Sequence, residues 1–278
     1  MKKEIKYLTV LVTTMATFGV SSLFADSGKL SLVSSGTGDL ENMTVKAHKT
    51  IKSADIVFTM NGQAGKFAPL IKDKPIYPAG HALFSNRVKG KWMKVKDESG
   101  KTIKKTSQEI EKIEQKYKSM IRQAIKNDKN VVIIDNGDPT IYGPHLNFLK
   151  EFQDLNPKII PGLSSFNAAN AALQTSVIGG IKDARGLTLT IGNTNNQLIE
   201  KLAETGSTMV FFMDRKFSDF MKHLRTLYPV DTPIAIVIEA GSAKNEKVMI
   251  STLENIEKTV GKQKIPFNHL VYVGNFLK

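Results

Sequence analysis

The chain contains no cysteine, which excludes disulfides, thiolate metal sites and a cysteine nucleophile. Stability has to come from packing rather than crosslinks, and the absence says nothing about compartment. No cluster of His, Asp and Glu stands at metal-ligand spacing, so no metal site is expected. No catalytic serine signature is present. Acids are scarce: 26 Asp and Glu stand against 39 Lys and Arg, a formal charge of +13.

Long apolar runs are also rare, with one exception at the start. Lys2, Lys3 and Lys6 precede an apolar stretch from Tyr7 to Phe24, and Ala25 before Asp26 suits the end of a secretory signal, although Leu23 fits the preceding small position poorly. The expectation is an exported, periplasmic protein that loses residues 1–25. The alternative is an uncleaved anchor, because the stretch approaches the roughly 20 residues that a spanning helix needs. Its lysines would then hold that end inside and leave the body on the outer face of the inner membrane. Without residues 1–25 the chain keeps 36 basic and 25 acidic residues, or +11, a field that favours anionic partners.

That surplus is concentrated. Between Asn61 and Lys105 there are eleven lysines and arginines against three acids, together with Pro69, Pro75, Pro78 and five glycines. The segment reads as an irregular excursion or a short hairpin around VKGKWMKVKDESGKTIKK. It is either a solvated basic loop or a cationic lid. Phe67, Tyr77 and Phe84 precede the dense lysine run and only Trp92 lies inside it. Nucleic-acid binding would interleave stacking aromatics with the cations, so no nucleic-acid partner is expected.

What is present is an α/β pattern. A chain of 278 residues with 41% hydrophobic content can bury a sizeable core. A strand at Leu30–Ser35 runs into Gly36-Thr37-Gly38-Asp39; Met43, Ala47 and Ile51 then recur at helical spacing before a strand at Asp55–Thr59. Thr106 and Glu109 form a capping box that opens a helix over Ser107–Asn127. A strand at Val131–Asp135, a helix at Pro144–Phe152, a strand at Lys158–Ile160 and a helix at Phe166–Leu173 follow. From Gly186 the pattern restarts, with strands at Leu187–Ile191, Thr208–Met213, Pro233–Ile238 and Leu270–Val273, the segment Lys247–Thr252, and helices at Asn195–Ala203, Lys216–Tyr228 and Leu253–Val260. The economical reading is two α/β domains, 26–178 with the basic insertion 61–105 and 179–278, with a ligand cleft between them.

The strand ending in Asn136-Gly137-Asp138-Pro139 places backbone amides and one carboxylate at a strand's carboxyl end, where open α/β sheets bind ligands. Gly137 lets a backbone approach closely. Asp138 either meets a ligand ammonium or hydroxyl, or caps the turn that Pro139 fixes. Pro161-Gly162-Leu163-Ser164-Ser165 puts hydroxyls and amides at a helix amino end, suited to a polar ligand group or to plain capping.

The ordered blocks LSLVSSGTGDLENMTVKAHKTIKSADIVF, VVIIDNGDPTIYGP, IIPGLSSFNAANAAL, TMVFFMD, TPIAIVIEAG and VMISTLENI resemble the tetrapyrrole (corrin/porphyrin) methylase family, which includes precorrin methyltransferases. The resemblance implies an S-adenosyl-L-methionine-dependent methyltransferase, two α/β domains with the cofactor between them, an anionic tetrapyrrole substrate and a homodimer. Carried over by position, Thr37, Gly38, Asn136, Gly137, Asp138, Ile141, Ser164, Ser165 and Met213 would hold the cofactor, with Ala235 and Ala240 along its adenosyl part. The chain departs from the family where members acting on uroporphyrinogen close the second strand with Tyr-Asp, because Thr59-Met60 stands there. Tyr142, His145 and Tyr117 are the remaining polar candidates for proton handling. Export of a protein that needs a cytoplasmic cofactor also opens a second reading, a non-catalytic binder of a tetrapyrrole or other anion on the same fold. A peptide backbone N-methyltransferase is a minor third.

Overall fold

Two five-residue runs in the first half, Leu30–Ser34 and Val131–Asp135, are buried along their whole length, as inner strands of a sheet covered on both faces must be. A computed structural model describes residues 28–60, 63–81, 83–85, 93–96, 101–178, 186–192, 197–214 and 216–277; the expected signal segment 1–25 and Trp92 lie outside these. Strands β1 (Leu30–Ser34), β2 (Ile56–Thr59) and β3 (Ile76–Pro78) precede a hairpin of β4 (Met93–Lys96) and β5 (Thr102–Lys105), and β6 (Val131–Asp135) and β7 (Lys158–Ile160) follow. The first sheet runs β3-β2-β6-β1-β7 with every neighbour parallel.

Alternation along these strands sends odd and even positions to opposite faces. Leu30, Leu32, Val131 and Ile133 pack with Tyr117 and Ile121 of α3 (Ser107–Lys126) and with Phe148. Val33, Val57, Val132 and Ile134 pack with Ala47 and Ile51 of α1 (Val45–Lys52) and with Ile71 of α2 (Ala68–Ile71). The capping box expected of α3 is present: the Thr106 hydroxyl accepts from Glu109 N, and the Glu109 carboxylate accepts from Thr106 N at 2.7 Å. The expected helix at Pro144–Phe152 is shorter, α5 (Leu146–Glu151), and a single turn, α4 (Pro139–Tyr142), precedes it.

The basic excursion contains the expected hairpin, β4 with β5. It also supplies β3, an edge strand of the main sheet rather than irregular chain. Pro78 ends β3 where no ladder donor is needed, which is why proline survives there.

The second sheet, β11-β10-β12-β9-β8, uses β8 (Leu187–Ile191), β9 (Thr208–Phe212), β10 (Pro233–Ile238), β11 (Lys247–Thr252) and β12 (His269–Val273). Only β8 and β9 are parallel; the other pairs are antiparallel. One face packs on Phe220, Met221 and Leu224 of α8 (Phe217–Leu227) and on Ile256 and Val260 of α9 (Ile256–Val260), with Ile199 of α7 (Gln197–Ala203) at one side. The other face packs on Ala168, Ala169 and Leu173 of α6 (Ser165–Leu173). Tyr272 on β12 fastens that helix by donating its hydroxyl to Asn170 Oδ1 at 2.8 Å. Thus α6, read from sequence as part of the first domain, lies on the second sheet. Among the described residues, no helix is long and apolar enough to cross a membrane.

Candidate active site

Strands β6, β1 and β7 are neighbours in the first sheet, so the loops leaving their carboxyl ends are brought together: Ser35–Asp39, Asn136–Asp138 and Pro161–Ser165. The first two are stitched to each other. Gly137 N donates to Gly36 O at 2.9 Å, Ser34 Oγ donates to Gly137 O, and Ser35 Oγ donates to Asn136 Oδ1 at 3.1 Å. The third approaches at the helix end. Gly137 has φ +66°, and a Cβ built on it would sit 3.9 Å from Ser165 N. Ser164 is the N-cap of α6, accepting from Asn167 N and donating to Asn167 Oδ1 at 2.8 Å. The helix therefore presents its positive end, through Ser165, to Gly137.

Asp138 takes the capping role. Its Oδ1 accepts from Thr140 N at 2.7 Å and from the Thr140 hydroxyl at 2.6 Å, with Pro139 at the first position of α4. That turn leaves Ile141 and Tyr142 on the surface, 47% and 44% exposed.

A short segment missed in the sequence bridges two of these loops. Gln63 accepts from Asn136 Nδ2 at 3.0 Å, and Lys66, one turn further on, donates to Gly38 O at 2.7 Å. Leaving β2, the chain thus crosses the carboxyl edge of the sheet above β6 and β1. Partial burial lowers the Lys66 pKa, against the opposing attraction of Asp39.

The second half closes on the first turn. Gly38 has φ +69°, and a Cβ on it would lie 2.0 Å from the Gly241 carbonyl, so only glycine fits. Asp39 N donates to Gly241 O at 3.0 Å, Asn42 Nδ2 donates to Thr37 O and Gly241 O, and Thr37 Oγ1 reaches Ala240 O at 3.4 Å. Ala240 and Ala235 are buried against Ala168 and Ala169 of α6. Thr37, Gly38, Ala240 and, through α6, Ala235 and Ser164 thus form one connected wall. Two open depressions flank this seam, of about 280 and 580 Å3. Asp39, Glu41 and Glu246 make the larger one acidic, a poor setting for an anionic ligand. The strand-end loops are the better candidate.

Met213 follows β9 with φ +53°, a left-handed conformation that a side-chain-bearing residue adopts only when its surroundings impose it. Directly after it, buried Asp214 meets buried His269 at 3.0 Å, and the other ring nitrogen of His269 meets Pro266 O at 2.7 Å. Burial alone would lower the His269 pKa, but the hydrogen bond and charge of Asp214, with the Pro266 and Phe267 backbones, raise it above the ordinary 6.5. No sequence pattern links residues 55 positions apart.

Tyr117 and His145 are placed differently from the expectation. Tyr117 lies in the core, its ring 5.0 Å from Phe58 and 6.0 Å from Tyr77. His145, expected as a candidate for proton handling, is wholly buried at the cap of α5, between Asp135 Oδ1 at 3.1 Å and Ala79 O at 2.9 Å. It braces the strand that delivers Asn136. Thr59, at the position of the missing Tyr-Asp pair, is buried, and Met60 Sδ lies 3.3 Å from His81.

Comparison with known proteins agrees with this architecture. The family described as Tetrapyrrole (Corrin/Porphyrin) Methylases matches residues 29–257. A cobalt-precorrin-4 C(11)-methyltransferase of Methanocaldococcus jannaschii is 27% identical, covering 90% of this chain and 88% of its own. An S-adenosyl-L-methionine-dependent uroporphyrinogen III methyltransferase of Methanosarcina barkeri is 26% identical, covering 89% and 91%. Among solved structures, a cobalt precorrin-4 methyltransferase superposes with TM-score 0.68 at 19% identity, over 90% of this chain and 96% of that one. A Thermus thermophilus uroporphyrin-III C-methyltransferase complexed with S-adenosylhomocysteine gives 0.60 at 20% identity, over 90% and 99%. With the match extending from β1 into α9, the chain belongs to the tetrapyrrole (corrin/porphyrin) methylases.

Proposed function

We propose that this protein transfers a methyl group from S-adenosyl-L-methionine to an anionic tetrapyrrole of the precorrin or uroporphyrinogen class. One observation carries the reading: three loops from adjacent parallel strands converge at the carboxyl edge, with Gly137 facing the amino end of α6 and Gly38 pressed on Gly241. The relatives named above supply the chemistry. Methyl transfer from a sulfonium is an in-line displacement: a carbon of the acceptor bonds to the methyl carbon, the S–C bond breaks, and a proton leaves the acceptor. The protein's task is to hold the two partners in line and exclude water. Gly137, Ser165 and Thr37 would hold the cofactor's polar part, and Met213 and Ala240 its adenosyl part, while Ala235, fully buried under α6, backs that wall rather than touching the ligand. Of the three proton-handling candidates only Tyr142 is exposed beside the turn, and it is the one assigned to the acceptor side.

Incubation with methyl-labelled cofactor and reduced polycarboxylated tetrapyrroles, read by mass spectrometry, tests the reaction. Label in the tetrapyrrole supports it. Tetrapyrrole binding with no cofactor binding and no label would favour the non-catalytic binder, which Thr59-Met60 in place of the Tyr-Asp pair also favours. Residues 1–25 are proposed as an export signal, and the assembly as a homodimer. The intact mass of protein from the extracytoplasmic fraction should begin at Asp26; a full-length cytoplasmic species would refute export. Sedimentation should give a dimer's mass, and a monomer at micromolar concentration would refute that assembly.

A further inference from the structure

We propose that the buried Asp214–His269 pair is a positioning element that holds Met213 in its left-handed conformation, so that cofactor binding is tightest when His269 is protonated. The inference rests on the reading that Met213 lines the cofactor site. Three strand ends meet at this edge of the second sheet. Continuing the β9–β12 register, in which Leu270 opposes Phe212, sets His269 opposite Met213, and His269 pairs with Ile238 on the other side.

The chain turns at Met213, and Asp214 folds back onto the neighbouring strand to reach His269 Nε2 at 3.0 Å. Gly192 packs behind the turn, where an added Cβ would stand 2.8 Å from Asp214 Cβ. Glu239, the next strand end, repeats the arrangement with φ +48°: its N donates to Asn268 O at 2.9 Å and its carboxylate accepts from Asn268 Nδ2 at 3.1 Å. Both strained residues are thus tied to the first residues of β12 or the residue before it.

Both nitrogens of His269 face acceptors, Asp214 Oδ1 and Pro266 O, and an imidazole can donate from both only when it carries the second proton. The charged groups around the pair are Asp214 on the β9 end, Glu239 on the β10 end, and Lys247 one strand further, opposite Ile238. Among these, only Asp214 contacts the ring. Deprotonation takes the imidazolium charge out of the Asp214 contact and leaves one ring nitrogen facing an acceptor without a proton, which weakens the hold that the strand ends keep on Met213.

The sign follows from the raised His269 pKa. The latched form is complete below about 6.5, the unfolded-state value, and is lost as pH rises through the raised folded value.

The test is calorimetric titration of the full chain with S-adenosylhomocysteine from pH 6 to pH 8.5, for wild type, His269→Gln and Asp214→Asn, with folding checked by circular dichroism. Wild-type affinity should fall about tenfold across that range. The variants should start about tenfold weaker at pH 6 and show a flat profile. In a Met213→Gly background, where the turn is unstrained, adding His269→Gln should cost little further affinity. Wild-type binding that does not change with pH overturns the inference, and this outcome needs no variant to fold. His269→Gln with wild-type affinity and profile overturns it too. No binding by wild type at any pH overturns the cofactor reading itself.

Discussion

Gly38 and Gly137 share nearly the same backbone, φ +69° and +66°, yet a methyl added to each meets different surroundings. At Gly38 it would strike the Gly241 backbone. Gly38→Ala should therefore combine about 1 kcal/mol of left-handed strain with about 1–3 kcal/mol of overpacking, and urea unfolding should show the loss. At Gly137 the methyl meets only the edge of van der Waals contact with Ser165 N, so Gly137→Ala should cost about 1 kcal/mol. It would, however, fill the gap that a ligand must enter. The two substitutions separate a structural glycine from a binding one, a distinction the motif alone could not draw because both lie in glycine-containing strand-end turns. His269 makes a similar point about charge. Removing one partner of a buried pair costs about 3–5 kcal/mol, so Asp214→Asn should lower the unfolding free energy by that order. Because the His269 pKa is raised in the folded state, the pair's contribution is full below about 6.5 and fades at higher pH. Wild type should lose more stability between pH 6.5 and 8.5 than His269→Gln does. Residues of this kind were illegible in sequence: His269 and Asp214 acquire their meaning only when β12 is laid beside β9.

The helices and strands with strong periodicity were readable, and the physical reason is burial. Strands β1 and β6 have all five residues buried, so their sequences are mostly apolar, broken only by Ser31, Ser34 and Asp135, and each leads into a glycine turn. Helix α3 announced itself through its capping box; Thr106→Ala should destabilise the protein by about 1 kcal/mol, measurable as a shifted urea midpoint. Strand β3 was hidden because it is three residues long, flanked by Pro75 and ended by Pro78, which read locally as breakers. Helix α6 was found but its partner was not. Its alanines, Ala168 and Ala169, permit close approach to a sheet without naming which one, and the choice is made by Tyr272 and Asn170 across 102 positions. The excursion after β2 was seen as charge, while its contribution of Gln63 and Lys66 to the candidate site was not, since each acts through a single hydrogen bond to a distant loop.

Taken whole, the protein is a cationic body with its strand-end loops facing one another, and the sign of that charge bears on what it binds. A polycarboxylated porphyrin should bind more weakly as ionic strength rises, because attraction between exposed charges is screened beyond about 10 Å at 0.1 M salt. Removal of residues 86–105, which takes away much of the basic surplus, should weaken binding and flatten its salt dependence; unchanged affinity and slope would exclude a role for that segment. What the two halves enclose rests on the cofactor. Titration of the full chain with S-adenosylhomocysteine, beside Gly137→Ala at matched folding, gives the decisive readout. Saturable binding by wild type, weakened about tenfold or more in Gly137→Ala, is the predicted result. Absence of binding by wild type, or equal binding by both, would contradict a cofactor site at the carboxyl ends of β1, β6 and β7.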